Sequence, residues 1–348
     1  MHRRRFAVAP LVLALSVLAG CGKDDPTSPG GAGTDAAANA DRAEIEALVA
    51  SAPEFDFTFT DDEGEVLGEA TTAFATTSTS RVSAADSGTS ATRPVFWGRW
   101  RRPPDSPPVR TVEFLEPPAE GKALAKIHVK FDGLFLVDRS DDGIRNPGRK
   151  PLRDELTRYA LFRKIWFHPE ASESESVFCW RLVAISPTEF RMTDPAKQTV
   201  AIESVTFDGE RSDFTITDPA TLLRLRREGD RFPIFVAGED VKVEAKVTNT
   251  DTGFDPPTFV FLHVPISNAI CPGPRERRRI RMFDNGMNGD AVAGDGTFTV
   301  IWNVRDVGLH HAAVDVINSR TLQNETEDDY NSTTWGIPYA SIPAWLMP

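Results

Sequence analysis

Cysteine is scarce, with three in 348 residues, too few for a chain held together by a disulfide framework. Tyrosine (three) and histidine (six) are also sparse. Positive charge is in deficit: 39 Lys and Arg stand against 51 Asp and Glu, for a formal net charge of −12. That balance argues against a nucleic-acid partner, because such affinity comes from neutralising phosphates. The apolar run Phe6 to Ala19, broken by Pro10 and Ser16, is shorter than the roughly 20 residues a transmembrane helix needs. No H-E-x-x-H, P-loop or G-x-S-x-G pattern occurs, so no catalytic residue is assigned.

What is present points to β structure. Proline (26) and glycine (24) are abundant and separate short alternating segments. The length predicts two domains.

The N-terminus carries a basic head, Arg3-Arg4-Arg5, then the apolar run, then Leu18-Ala19-Gly20-Cys21. This is the build of a signal peptide. Its end resembles the lipobox of bacterial lipoproteins. The resemblance implies cleavage before Cys21, lipidation of the Cys21 thiol and acylation of the new amine. Several acyl chains anchor stably where one does not. Gly22, in place of an Asp after the cysteine, implies an outer-membrane destination. Residues 1–20 are thus expected to be the signal peptide. Residues 21–40, rich in Gly, Pro, Ser and Asp, are expected to be a disordered tether.

Residues 42–207 read as an α+β domain. Asp41 precedes Ile45, Leu48 and Val49 as an expected N-cap, predicting a short helix over 42–51. Strand patterns are expected at 55–60, 125–131, 156–165, 177–185 and 200–207, with a long hairpin loop from Asp138 to Gly148. Residues 68–92 give no element. One helix followed by long antiparallel strands resembles the cystatin-like and NTF2-like folds. The stretch 159–186, with its Cys179-Trp180-Arg181-Leu182 segment, is similar to the last two strands of NTF2-like domains. The resemblance implies a helix on a curved antiparallel sheet around a small-ligand pocket. In such a pocket His128, Asp132 and Tyr159 are the candidate polar groups, for ligand binding or a weak hydrolase or isomerase activity.

Residues 208–229 read as a connector, with a short helix over 219–227 opened by Pro219 and closed by Gly229. Residues 230–345 read as an immunoglobulin-like β-sandwich of evenly spaced short strands. The tail 335–339 is a last strand or lies across an edge. The segment Asp284-Asn-Gly-Met-Asn288-Gly-Asp290-Ala-Val-Ala-Gly-Asp295-Gly-Thr-Phe298 resembles the D-x-G-x-x-G-D-x-x-A-G-D-G-x-[YF] loop of immunoglobulin-like modules in secreted bacterial proteins. Asp284, Asn288, Asp290 and Asp295 gather the oxygen ligands a structural Ca²⁺ would take. The plainer alternative is a metal-free loop in which Asx side chains cap the loop's own backbone.

Trp97-Gly98-Arg99-Trp100-Arg101-Arg102 interleaves aromatic and basic side chains. Trp97, Arg99, Trp100 and Arg102 form a candidate surface patch for a sugar or an anionic envelope polymer. The plainer reading is a strand with its two tryptophans on opposite faces and its arginines in water. His310 and His311 are neighbours on a strand and point to opposite faces, so they do not share an ion. Cys179 and Cys271 remain after lipidation of Cys21. An oxidising envelope permits a bridge, whereas the apolar strand around Cys179 favours buried thiols. The expected role is a lipid-anchored, non-catalytic envelope protein whose partners are the membrane and an envelope protein or polysaccharide.

Overall fold

A computed structural model describes residues 33–52, 55, 62–66, 95–101, 108–140, 142, 144–167, 177–210, 212–224, 232–265, 277–325 and 327–346. The expected strand at 55–60 (beyond Phe55), the segment 68–92, the signal peptide, Cys21, Arg102 and Cys271 lie outside the described residues. The protein is mainly β. One helix, α1 (Gly33–Ser51), precedes β1 (Asp62–Val66), β2 (Val95–Trp100), β3 (Val109–Ala119), β4 (Lys122–Asp138), β5 (Gly148–Phe167) and β6 (Val177–Ile185). Then come β7 (Thr188–Met192), β8 (Val200–Asp208), β9 (Asp213–Ile216), β10 (Leu223–Arg224), β11 (Ile234–Val236) and β12 (Asp240–Asn249). Last are β13 (Thr258–Pro265), β14 (Arg277–Met282), β15 (Thr297–Asn303), β16 (Gly308–Asn318) and β17 (Ser332–Ile342).

The chain divides into two compact units, one of residues 1–56 with 164–181, the other of 57–163 with 182–348. In the first, α1 begins at Gly33, inside the segment expected to be a tether, because Ala36 to Ala40 favours helix. Asp41 is therefore not an N-cap. Its carboxylate lies within the helix and accepts from Lys164 Nζ at 2.8 Å and Trp180 Nε1 at 2.9 Å. Ile45, Leu48, Val49 and Ala52 are buried, at the spacing of one helical face. Cys179 is disulfide-bonded, which overturns the reading of it as a buried thiol. Its partner lies outside the described residues.

The second unit holds a curled, 13-stranded, mostly antiparallel sheet with the path β1-β2-β4-β5-β7-β17-β16-β13-β14. β4 is its longest clean alternation. Ala123, Ala125, Ile127, Val129 and Phe131 are buried while Lys130 and Asp132 are exposed. β5 returns along it as a hairpin, Val137 opposite Gly148, around the loop expected at 138–148. Directly paired residues share a face. The buried face of β4 therefore continues onto β5 through Lys150, Leu152, Asp154, Leu156 and Arg158. The sheet wraps until its ends meet. Trp97 on β2 lies 5.7 Å from the Phe261 ring on β13, and the Arg279 guanidinium on β14 lies 4.7 Å over Trp97.

A second, four-stranded sheet runs β15-β12-β8-β9. Val241, Val243, Ala245 and Val247 fill its inner face. Phe207, Phe235, Trp302 and Tyr339 join it to the larger sheet, with ring centroids 5.2 to 5.9 Å apart.

Two expectations are corrected. The boundary set at 207–230 does not divide the chain: β8 pairs along β12 from Lys242–Asp208 to Asn249–Val200, and β7 pairs with β17. The helix expected over 219–227 is absent among the described residues. Leu223 and Arg224 instead pair with Ile185 and Ala184, so a neighbouring strand supplies the backbone partners that a helix would have supplied internally. Residues 335–339 do form the last strand, the first of the two alternatives expected for them: they lie in β17, which is flanked by β16 and by β7 and β11 instead of lying across an edge. Its burial on both faces is what a central strand requires.

Candidate functional site

Trp97, Arg99 and Trp100 do not share one surface patch. Trp97 is fully buried and Arg99 is 4% exposed, while Trp100, on the opposite face, is 43% exposed. The alternation of β2 sends positions 97, 99 and 101 into the wrapped sheet, against the expectation that Arg99 and its neighbours lie in water. There they meet carboxylates from distant strands. Arg99 NH1 donates to Asp315 Oδ2 at 2.9 Å. Arg101 Nε donates to Asp154 Oδ2 at 2.9 Å. Tyr330 hydroxyl also donates to Asp154 Oδ2, at 2.9 Å, and shares a 2.7 Å bond with Ser332. Thr334 Oγ1 donates to Asp315 Oδ1 at 2.7 Å, and His263 Nε2 stands 3.5 Å from Oδ2.

Burial works against the Asp315 charge, but Arg99 and His263 outweigh it and hold the carboxyl well below the usual carboxylate range. Burial, then the Asp154 charge, pushes the Tyr330 phenol up. Phe135 lies 5.7 Å from Trp97 and 5.3 Å from Tyr330, so aromatic rings separate and cover the ion pairs. Large side chains, among them Trp97, Arg101, Phe131, Phe135 and Phe190, are buried here. Such a network specifies how the two arms of the sheet meet and leaves each carboxylate bonded to a guanidinium.

His128, Asp132 and Tyr159 are not brought to this interior. They pair with Thr157, Arg153 and Lys126, on the face of β4 and β5 opposite Ile127, Val129 and Phe131. His128 Nε2 is 3.2 Å from Glu155, and Asp132 is 3.9 Å from Arg153 Nε. His311 Nε2 lies 2.8 Å from Arg158 NH2, whereas the His310 ring packs 5.5 Å from Tyr339.

The loop between β14 and β15 brings its three expected carboxylates together. Ligand oxygens of Asp284, Asp290 and Asp295 lie within 4.8 Å of one another. Asn288 (φ +55°) and Gly286, Gly289, Gly294 and Gly296 (φ +70° to +98°) supply the left-handed turns of the loop. The carboxylates are already engaged by backbone amides. Asp284 accepts from Gly294 (2.6 Å), Asp295 (3.2 Å) and Gly296 (2.8 Å). Asp290 accepts from Gly286 (2.6 Å) and Val292 (3.4 Å), and Asp295 accepts from Thr297 (2.7 Å). The Thr297 bonds hold the exposed Asp295 carboxyl below its ordinary range. Asx side chains thus cap the loop's own backbone, as the plainer of the two readings describes, while the three carboxylates also stand close enough to share a cation.

Asp315, Asp154, His263 and Tyr330 carry the buried network, and the sequence reading passed over them. The available signal was a lone Asp inside the apolar run Ala312 to Ile317, since an acid at a core position demands a buried cation. No protein-family model, no curated protein and no solved structure matches this chain.

Proposed function

We propose that the chain is a lipid-anchored protein of the bacterial cell envelope, held by acyl chains on Cys21, with a non-catalytic binding, adhesion or assembly role at the outer membrane. The observation that carries the reading is the N-terminal order of basic head, short apolar run and Leu18-Ala19-Gly20-Cys21. The disulfide at Cys179 supports it, because such bonds persist in oxidising compartments. The strands of residues 230–345, together with β8 and β9 from residues 200–216, which extend the smaller sheet, are read as an immunoglobulin-like sandwich, a build that suits adhesion or assembly. The placement of His128, Asp132 and Tyr159 on the face of β4 and β5 opposite the buried Ile127, Val129 and Phe131 favours this role over the small-ligand pocket implied by the NTF2-like resemblance. Partners are an envelope protein or polysaccharide.

Cell fractionation tests the anchor. The full chain is expected in membranes and released by detergent, while Cys21→Ala is expected in the soluble fraction. A Cys21→Ala chain that stays in membranes contradicts the reading. Screening the purified full chain against hydrolase and isomerase substrates is expected to give no turnover. Robust turnover abolished by one interior substitution would contradict the non-catalytic role.

A further inference from the structure

The start of β5 and the segment between β16 and β17 are fastened at several points. The Arg139 amide donates to Glu325 Oε1 at 2.9 Å, and its guanidinium donates to the carbonyls of Leu322 (3.3 Å) and Gln323 (2.5 Å). At Gly148 the two backbones approach so closely that a Cβ would stand 2.2 Å from the Glu325 carbonyl oxygen. Between these points lies Lys150, fully buried. Its Nζ is 2.5 Å from Asp329 Oδ1 and 2.6 Å from the Thr321 carbonyl oxygen. Phe135 stands directly opposite Lys150 on β4. Tyr330 lies 5.3 Å from that ring. The second carboxylate oxygen, Asp329 Oδ2, accepts from Asn324 Nδ2 at 2.6 Å. Asn324 is oriented in turn by its Oδ1, which accepts from the Glu327 amide at 2.9 Å. Thr321 Oγ1 holds the Asp329 backbone carbonyl at 3.1 Å.

We propose that Lys150 and Asp329 are joined by an intramolecular isopeptide bond. The amine and carboxyl are held in contact by a frame that fixes both partners, which replaces an encounter by a local step. The amine is sealed from water, and a desolvated ion pair lies closer to its neutral form, amine and carboxylic acid, than an exposed pair does. Burial pulls the Lys150 ammonium below the usual lysine range in the same sense. The oxygen on which negative charge gathers already has an N–H donor in Asn324.

The step balances within the pair. One proton passes from Nζ to Oδ1. The Nζ lone pair attacks Cγ, and charge collects on Oδ2 against Asn324 Nδ2. A second proton passes from Nζ to Oδ1, the Cγ–Oδ1 bond breaks, and one water leaves. The product amide keeps one N–H, facing the Thr321 carbonyl, and one carbonyl oxygen, facing Asn324. No oxidant or co-reactant is consumed.

Peptide mass spectrometry of the full chain, denatured, reduced and cut with trypsin, tests this. Lys150 is followed by Pro151 and resists cleavage, so it falls in peptide 150–153, while Asp329 falls in peptide 321–348. The expected result is one dominant species with the summed mass of both peptides less one water, yielding fragments of each. Both Lys150→Arg and Asp329→Ala are expected to abolish it. Recovery of 150–153 and 321–348 mainly as separate peptides from the unsubstituted chain overturns the proposal, whether or not either variant folds.

Discussion

Removing the Asp315 carboxylate tests the account of the interior most sharply. Asp315→Ala deletes the acceptor for Arg99 NH1 at 2.9 Å and for Thr334 Oγ1 at 2.7 Å. The side chains of Arg99 and Asp315 are only 2% and 1% exposed. Arg99 does not shed its proton and stays charged inside the wrapped sheet. Breaking a buried pair from one side costs about 3–5 kcal/mol. Equilibrium unfolding in urea reads this as a lowered midpoint. Lys122→Ala serves as the exposed control, because it removes a pair to Glu116 in which both side chains are about half exposed; its cost is expected to stay under about 1 kcal/mol. Arg99→Met combined with Asp315→Leu removes both charges and keeps similar volume. That double variant is expected to recover most of the loss. An Asp315→Ala chain no less stable than the Lys122→Ala control, or a double variant as weak as the single one, would refute the argument.

The same carboxylate sets the acid response. The folded-state pKa of Asp315 lies below its ordinary value, as does that of Asp138, held chiefly by the Ser140 hydroxyl. Their stabilisation is complete above the ordinary carboxylate range near pH ~4 and is lost as pH falls below it. Acid titration of unfolding is expected to show a decline that is shallower in Asp315→Ala, and equal slopes contradict this. Asp284→Ala is expected to cost about 1–3 kcal/mol by stranding the amides of Gly294, Asp295 and Gly296. Faster hydrogen exchange at those amides is the direct readout. Millimolar Ca²⁺ is expected to leave the melting temperature unchanged, because backbone donors already occupy the loop carboxylates; a rise on Ca²⁺ reversed by chelator would establish a cation site. Gly133→Ala is expected to destabilise by about 1–3 kcal/mol, because its Cβ would lie 2.3 Å from the Trp100 carbonyl oxygen. A neutral melting shift contradicts that close approach.

Some of this was legible in the sequence because the forces were local. The period of β4 at 123–131 and of β12 at 241–247 states which side chains face inward. The glycine and Asx spacing of 284–296 states where the chain reverses. The rest depends on contacts between distant residues. Arg99 reads as a solvated strand residue until Asp315, far along the chain, is brought opposite it by the wrap of the sheet. Leu223 reads as helical until β6 offers it a partner. Val200 to Phe207 reads as the close of a first domain, because nothing in its alternation reveals that its neighbour is β12. Lys150 carries no sequence signal at all. Its burial follows from the approach of residues 319–330.

The lipid anchor is tested most directly by the mass of the N-terminal peptide of the chain extracted from membranes. The account predicts a mature chain beginning at Cys21, with a thioether-linked diacylglyceryl group on that sulfur and loss of residues 1–20. An N-terminus at any other residue, or an unmodified Cys21 thiol on the mature protein, would contradict it.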